Sequence, residues 1–178
     1  MKKLIASKVF WSAVIIGLLV VVGALNLKTD TRPECQKAVT TFEKWSENRA
    51  LIYKARSNLQ AGNYELKVRQ IFSEYMPSDL NGTFENAQLD ALMQEAIGTL
   101  SNPQEGALTI DYRLVENDKY DPRKKNPPKK PFSGYLLVSF KQDKQEIYRI
   151  QIDYLDPKAA DLKERIECAF ISFKNPRD

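Results

Sequence analysis

The chain has 178 residues, 43% apolar and 28% charged, a balance that excludes disorder along its whole length and leaves room for about one domain. It contains no histidine, so the commonest general base and the commonest metal ligand are both missing. The net charge of +4 sits in two places, Lys2, Lys3 and Lys8 at the start and a run from Lys119 to Lys130; the rest is slightly acidic, which argues against a nucleic-acid-binding face.

Residues 9–27, VFWSAVIIGLLVVVGALNL, form an uncharged apolar run, close to the roughly 20 residues a helix needs to cross a bilayer. Lysines precede it, and Lys28, Asp30 and Arg32 follow. The excess of positive charge before the run predicts residues 1–8 as a cytoplasmic tail, 9–27 as a transmembrane helix, 28–32 as a linker and 33–178 as an exported, periplasmic domain. The protein is then a single-pass protein of the inner membrane. Trp11 falls at the interfacial level, where an amphipathic ring is favoured. The competing reading is a signal peptide cleaved after Val22-Gly23-Ala24; either way the domain is exported. Ala13, Gly17, Val20 and Ala24 share one helical face, where small residues admit a second helix closely.

In chain order, Asp30-Thr31-Arg32-Pro33-Glu34 reads as a helix start. The spacing of Cys35, Val39, Phe42, Trp45, Ile52 and Leu59 predicts one amphipathic helix ending at Ala61-Gly62. A second helix is expected over 64–75, with Tyr64, Val68, Ile71 and Tyr75 on one face and Pro77 as its stop. A third, capped by Thr83, carries Phe84, Leu89, Met93, Ile97 and Leu100.

The apolar period then changes from 3.6 to 2. Four strands are expected, at 108–114, 135–140, 148–154 and 166–171, each polar on one face. Helices first and strands afterwards predict an α+β domain, three helices on a four-stranded antiparallel sheet. The intervening segment holds Lys119, Arg123, Lys124, Lys125, Lys129 and Lys130 among several prolines, and reads as a protruding hairpin loop that meets an acidic partner or an anionic surface.

Cys35 and Cys168 lie at opposite ends of the exported part, and in an oxidising compartment they predict a disulfide. Asn81-Gly82-Thr83 matches a glycosylation sequon, but Thr83 is accounted for as a cap. Asp111 and Asp153 fall on the polar sides of predicted strands beside Arg113 and Arg149, a pattern of surface ion pairs. No nucleophile elbow, metal cluster or glycine-rich phosphate loop is present in the sequence.

An anchor, three helices and an antiparallel meander, in that order over residues 1–178, resemble NTF2-like and cystatin-like domains, the plan of bitopic assembly factors in bacterial type IV secretion. Asn102-Pro103-Gln104-Glu105-Gly106 is one residue longer than the Asn-Pro-x-Gly of that family. The resemblance implies a structural subunit of a secretion, conjugation or pilus-type machine. The expected function is therefore non-enzymatic: assembly of an envelope complex through contacts with other membrane proteins, the lipid bilayer and further copies of itself, with no cofactor and no nucleic acid. A membrane-anchored module binding a small ligand or signal is the alternative.

Overall fold

The computed structural model describes residues 32–123 and 132–175. The elements are α1 (Glu34–Lys37), β1 (Thr40–Trp45), α2 (Arg49–Gln60), β2 (Tyr64–Ile71), α3 (Asn86–Ile97), β3 (Leu108–Glu116), β4 (Gly134–Gln142), β5 (Gln145–Tyr154) and α4 (Leu162–Lys174). The five strands make one sheet in the order β1-β5-β4-β3-β2. Pairing is antiparallel except between β2 and β3, which run parallel across the crossover that contains α3.

This is an α+β fold, but the sheet is five-stranded and mixed, not a four-stranded antiparallel meander. Three of the expected elements change. The long first helix stops after one turn, and Thr40–Trp45, rich in β-branched and aromatic residues, pairs with β5 as an edge strand before α2 begins. Asn48 caps α2, its side chain accepting from the Leu51 N–H at 3.2 Å.

The expected second helix is β2. Tyr64, Leu66, Val68 and Gln70 alternate with Glu65, Lys67, Arg69 and Ile71, a pattern that also carries apolar side chains at 64, 68 and 71 and so fits both periods. The parallel partner β3 decides between them. The expected last strand is α4, which buries Leu162, Ile166, Ala169, Phe170 and Phe173 against the sheet. A three-residue alternation at 166, 168 and 170 is too short to outweigh that wide helical face. With the final strand gone and two new ones present, the helices-then-meander order behind the NTF2-like and cystatin-like resemblance does not hold.

Other expectations agree with the structure. Strands β3, β4 and β5 fall where the period-2 pattern places them. Helix α2 ends before Gly62, whose φ of 74° suits glycine, and an added Cβ there would lie 2.6 Å from the Leu100 carbonyl oxygen. Helix α3 begins at Asn86 rather than at Thr83. Gln88 Oε1 accepts from the Glu85 N–H at 2.8 Å, while the Thr83 hydroxyl donates to the Asp79 carbonyl.

Helices α2, α3 and α4 cover one face of the sheet. The core there is aromatic: Phe173 stacks on Phe140 at 4.1 Å between ring centroids and lies 5.6 Å from Tyr148 and 5.9 Å from Trp45. The Arg56 guanidinium sits over Trp45 and Phe173 and donates to the Phe173 carbonyl at 2.7 Å, satisfying an orphan acceptor in the last turn of α4. Cys35 and Cys168 are joined by a disulfide, their Cα atoms 5.8 Å apart, which ties α1 to α4. No helix among the described residues is long and apolar enough to cross a membrane. The predicted span at 9–27 lies outside the described residues.

Candidate interaction surface

Alternation along each strand turns every second side chain away from the helices. The face so formed bears no helix among the described residues and can be read row by row from the strand register. One row runs Lys67, Asp111, Ser139, Arg149 and Lys44 across the sheet, and the next runs Arg69, Arg113, Leu137, Gln151 and Phe42. Towards the ends of β2, β3 and β5 the row becomes Ile71, Val115, Tyr135 and Asp153.

Most charges on this face are neutralised within it. Lys141 donates to Asp111 at 2.8 Å, Lys67 to Glu65 at 2.8 Å, and Arg149 pairs with Glu146 while donating to the Ser139 hydroxyl at 3.1 Å. Asp153 is buried between the Thr41 hydroxyl and the Gln151 amide, at 3.5 and 3.4 Å. Arg69, Arg113 and Lys44 make no ion pair among the described residues, and Arg69 and Arg113 are direct cross-strand neighbours. Like charges directly opposite one another destabilise a sheet unless something outside neutralises them.

At one end of the sheet the loops are built on two carboxylates. Glu116 accepts from the Ser73 N–H at 3.0 Å, the Ser78 hydroxyl at 2.6 Å and the Asp79 N–H at 2.8 Å. Asp118 accepts from the backbone N–H groups of Glu74 at 2.8 Å, Tyr75 at 2.6 Å and Tyr120 at 3.2 Å. Burial alone would push both carboxyls up, but these hydrogen bonds outweigh it and hold them below their ordinary values. Asp121 and Glu74 in turn hold Arg123, at 2.8 and 3.2 Å, with its guanidinium 5.4 Å from the Tyr75 ring centroid. The Asp121 hydrogen bond raises the Arg123 pKa above its ordinary value. Tyr75 and Tyr120 stand out into solvent from this frame.

The opposite end has a shallow cleft of about 770 Å³, lined among others by Glu65, Lys67, Thr109, Asp111, Lys141 and Asp143. Its carboxylates are already committed: Lys54 binds Asp143 at 2.8 Å, beside the Glu65 and Asp111 pairs. Among the described residues no three histidine, cysteine, aspartate or glutamate side chains converge as metal ligands.

No family model, curated protein or solved structure matches this chain.

Of the residues singled out in the sequence, Cys35 and Cys168 are brought together, while Asp111 and Asp153 are kept apart in separate local pairings. Lys119 lies within the Asp118–Asp121 turn and is exposed, and Arg123 follows the turn and is tied into it. Lys124, Lys125, Lys129 and Lys130 of the loop, and Ala13, Gly17, Val20 and Ala24 of the small-residue face, lie outside the described residues. Sequence reading missed Arg69, because Lys67 and Arg69 were placed on a helix, and so missed its register with Arg113. It also missed Glu116 and Asp118, although Asp at a loop start is a recognised turn signal.

Proposed function

We propose that this protein is a membrane-anchored, exported subunit of an envelope complex that acts by binding protein partners and catalyses no reaction. The single observation that carries this reading is the Arg69–Arg113 neighbour pair on the helix-free sheet face. Two adjacent cations with Leu137 and Phe42 in the same row suit an acidic partner segment with apolar neighbours, and such a partner would relieve their repulsion. The disulfide supports export to an oxidising compartment, and the apolar run at 9–27 with its preceding lysines supports anchoring in the inner membrane.

Extraction in mild detergent and co-purification of the full chain tests the reading. Stoichiometric partners are expected with the native sequence and their loss is expected with Arg69→Glu combined with Arg113→Glu, the unfolding midpoint staying near that of the parent. Partners retained by that variant, or a chain that purifies alone, would overturn the reading.

A further inference from the structure

A sheet in the order β1-β5-β4-β3-β2 has two edges, and they differ. The pairing of β1 is broken by a bulge between Thr40 and Phe42, a device that spoils an edge as a template for further strands. β2 pairs with β3 residue for residue from Tyr64 to Ile71, without a shift. Its far side is closed only at the start, where the Ser101 hydroxyl donates to the Tyr64 carbonyl and the Asn102 N–H to the Gly62 carbonyl at 2.8 Å. From Glu65 to Ile71, the backbone groups that β2 turns away from β3 have no hydrogen-bond partner among the described residues.

The side chains along this edge restrict what can pair with it. On the helix-free side, β2, β3 and β4 carry four cations, Lys67, Arg69, Arg113 and Lys141, against two carboxylates, Glu65 and Asp111. Both carboxylates are held, Glu65 by Lys67 and the Thr109 hydroxyl and Asp111 by Lys141, so the surplus is the two arginines. Beyond Ile71, Glu116 and Asp118 are matched by loop N–H groups, and Glu74 and Asp121 by Arg123. On the helix side Leu66 and Val68 are only half-buried, whereas their β3 neighbours Ile110 and Tyr112 are almost wholly buried. Asp90 of α3 is taken up there by the Tyr112 hydroxyl at 2.6 Å. The core is thus left open along β2, beside a row of unmatched positive charge.

We infer that β2 takes up an extended segment of a partner protein as a further strand of the sheet, apolar on the helix side and acidic on the side of Arg69, an inference that rests on the reading above of Arg69 and Arg113 as a partner's site. Main-chain hydrogen bonds to the outward groups of β2 supply affinity, and side chains at alternate positions supply specificity. A carboxylate directly opposite Arg69 has its Cβ about 5 Å from that of the arginine and draws the guanidinium away from Arg113. Leu66 and Val68 gain an apolar neighbour on their open side. A second copy pairing through its own β2 would bring Lys67, Arg69 and a Glu65 that is already held, adding to the surplus of positive charge. Charge therefore selects an acidic segment.

The test uses the full chain in mild detergent and a fluorescent synthetic peptide as long as β2, alternating Glu with Val, with binding read by anisotropy. Two further peptides carry backbone N-methyl groups, one at every Glu and the other at every Val. In an added strand the N–H groups of alternate residues bond to β2 and the rest face solvent. One methylated peptide is therefore expected to bind at least about tenfold more weakly than the parent peptide, and the other nearly as well. Which one is weakened reports whether the strand runs with or against β2. Arg69→Glu is expected to weaken the Glu peptide and strengthen one with Lys in place of Glu, the unfolding midpoint staying near that of the parent chain. Equal binding of the two methylated peptides, or no binding of the parent peptide, overturns the inference; partners that still co-purify with the native chain and are lost with the double arginine variant then keep the reading above. A concentration-dependent dimer that the peptide dissociates puts a second copy on the edge and overturns the acidic partner. A chain that purifies alone overturns the reading and this inference together.

Discussion

The two faces of the sheet are made by the same strands and obey opposite rules. On β3, Ile110, Tyr112 and Leu114 lie beneath the helices and are almost wholly buried, while Thr109, Asp111 and Arg113 between them look away. The first set is fixed by volume, since a packed interior penalises both voids and excess atoms. The second is fixed by charge and register, and here the match is incomplete because Arg69 faces Arg113. Stability is thus concentrated on one face, and the unresolved electrostatics on the other. A side chain one residue along the same strand changes from structural to available for binding.

Substitutions should separate the two faces sharply. The largest loss is expected for Phe173→Ala, which empties the centre of the aromatic cluster; about 3–5 kcal/mol should appear as a lowered denaturant midpoint. Replacing Cys35 and Cys168 together by Ser should cost on the order of 2–5 kcal/mol, since the bond closes a loop with a sequence separation of 133. The same comparison under reducing conditions should leave the double variant unaffected and bring the parent down to it.

Glu116→Gln should cost about 1–3 kcal/mol, because the Ser73 and Asp79 N–H groups and the Ser78 hydroxyl lose a charged acceptor. It should also change the acid limb. The Glu116 carboxyl is held below its ordinary value, so its contribution is fully present above the unfolded-state pKa of about 4.3 and is lost as pH falls through the lower folded value. Unfolding midpoints taken from pH 7 down to pH 3 should therefore converge for parent and variant at the acid end; a constant gap would contradict the role of the charge.

On the uncovered face the expectation is smallest. Arg113→Ala should stay within about 0.5 kcal/mol of the parent, or stabilise slightly by removing the repulsion with Arg69, as read from thermal unfolding. A loss comparable to that of Phe173→Ala would mean that the helix-free face is structural after all, and the contrast between the faces would collapse.

Long, strongly patterned segments were legible in the sequence. The alternation expected at 108–114 and 148–154 and the strand expected at 135–140 fall inside β3, β5 and β4, the apolar spacing from Phe84 to Leu100 contains α3, and the pair Cys35 and Cys168 gives the disulfide. Short segments were not. Thr40–Trp45 and Tyr64–Ile71 satisfy helical and extended periods about equally, and the three-residue alternation in α4 imitates a strand. Local preference between the two states amounts to less than about 1 kcal/mol per residue, so the partner each segment finds decides its form. Pairing with β5 and β3 makes strands of the first two, and a wide apolar stripe over Phe140 and Tyr148 makes a helix of the third.

The sequence by itself determined the apolar run with its flanking charge, the class of the domain and the cysteine pair, because each depends on composition or on a pattern longer than any ambiguity. The tertiary structure alone decided the mixed order of the sheet, the register that sets Arg69 against Arg113, and the place of β2 at an edge. These are relations between residues far apart in the chain, fixed by packing and hydrogen bonding across the fold rather than by local preference.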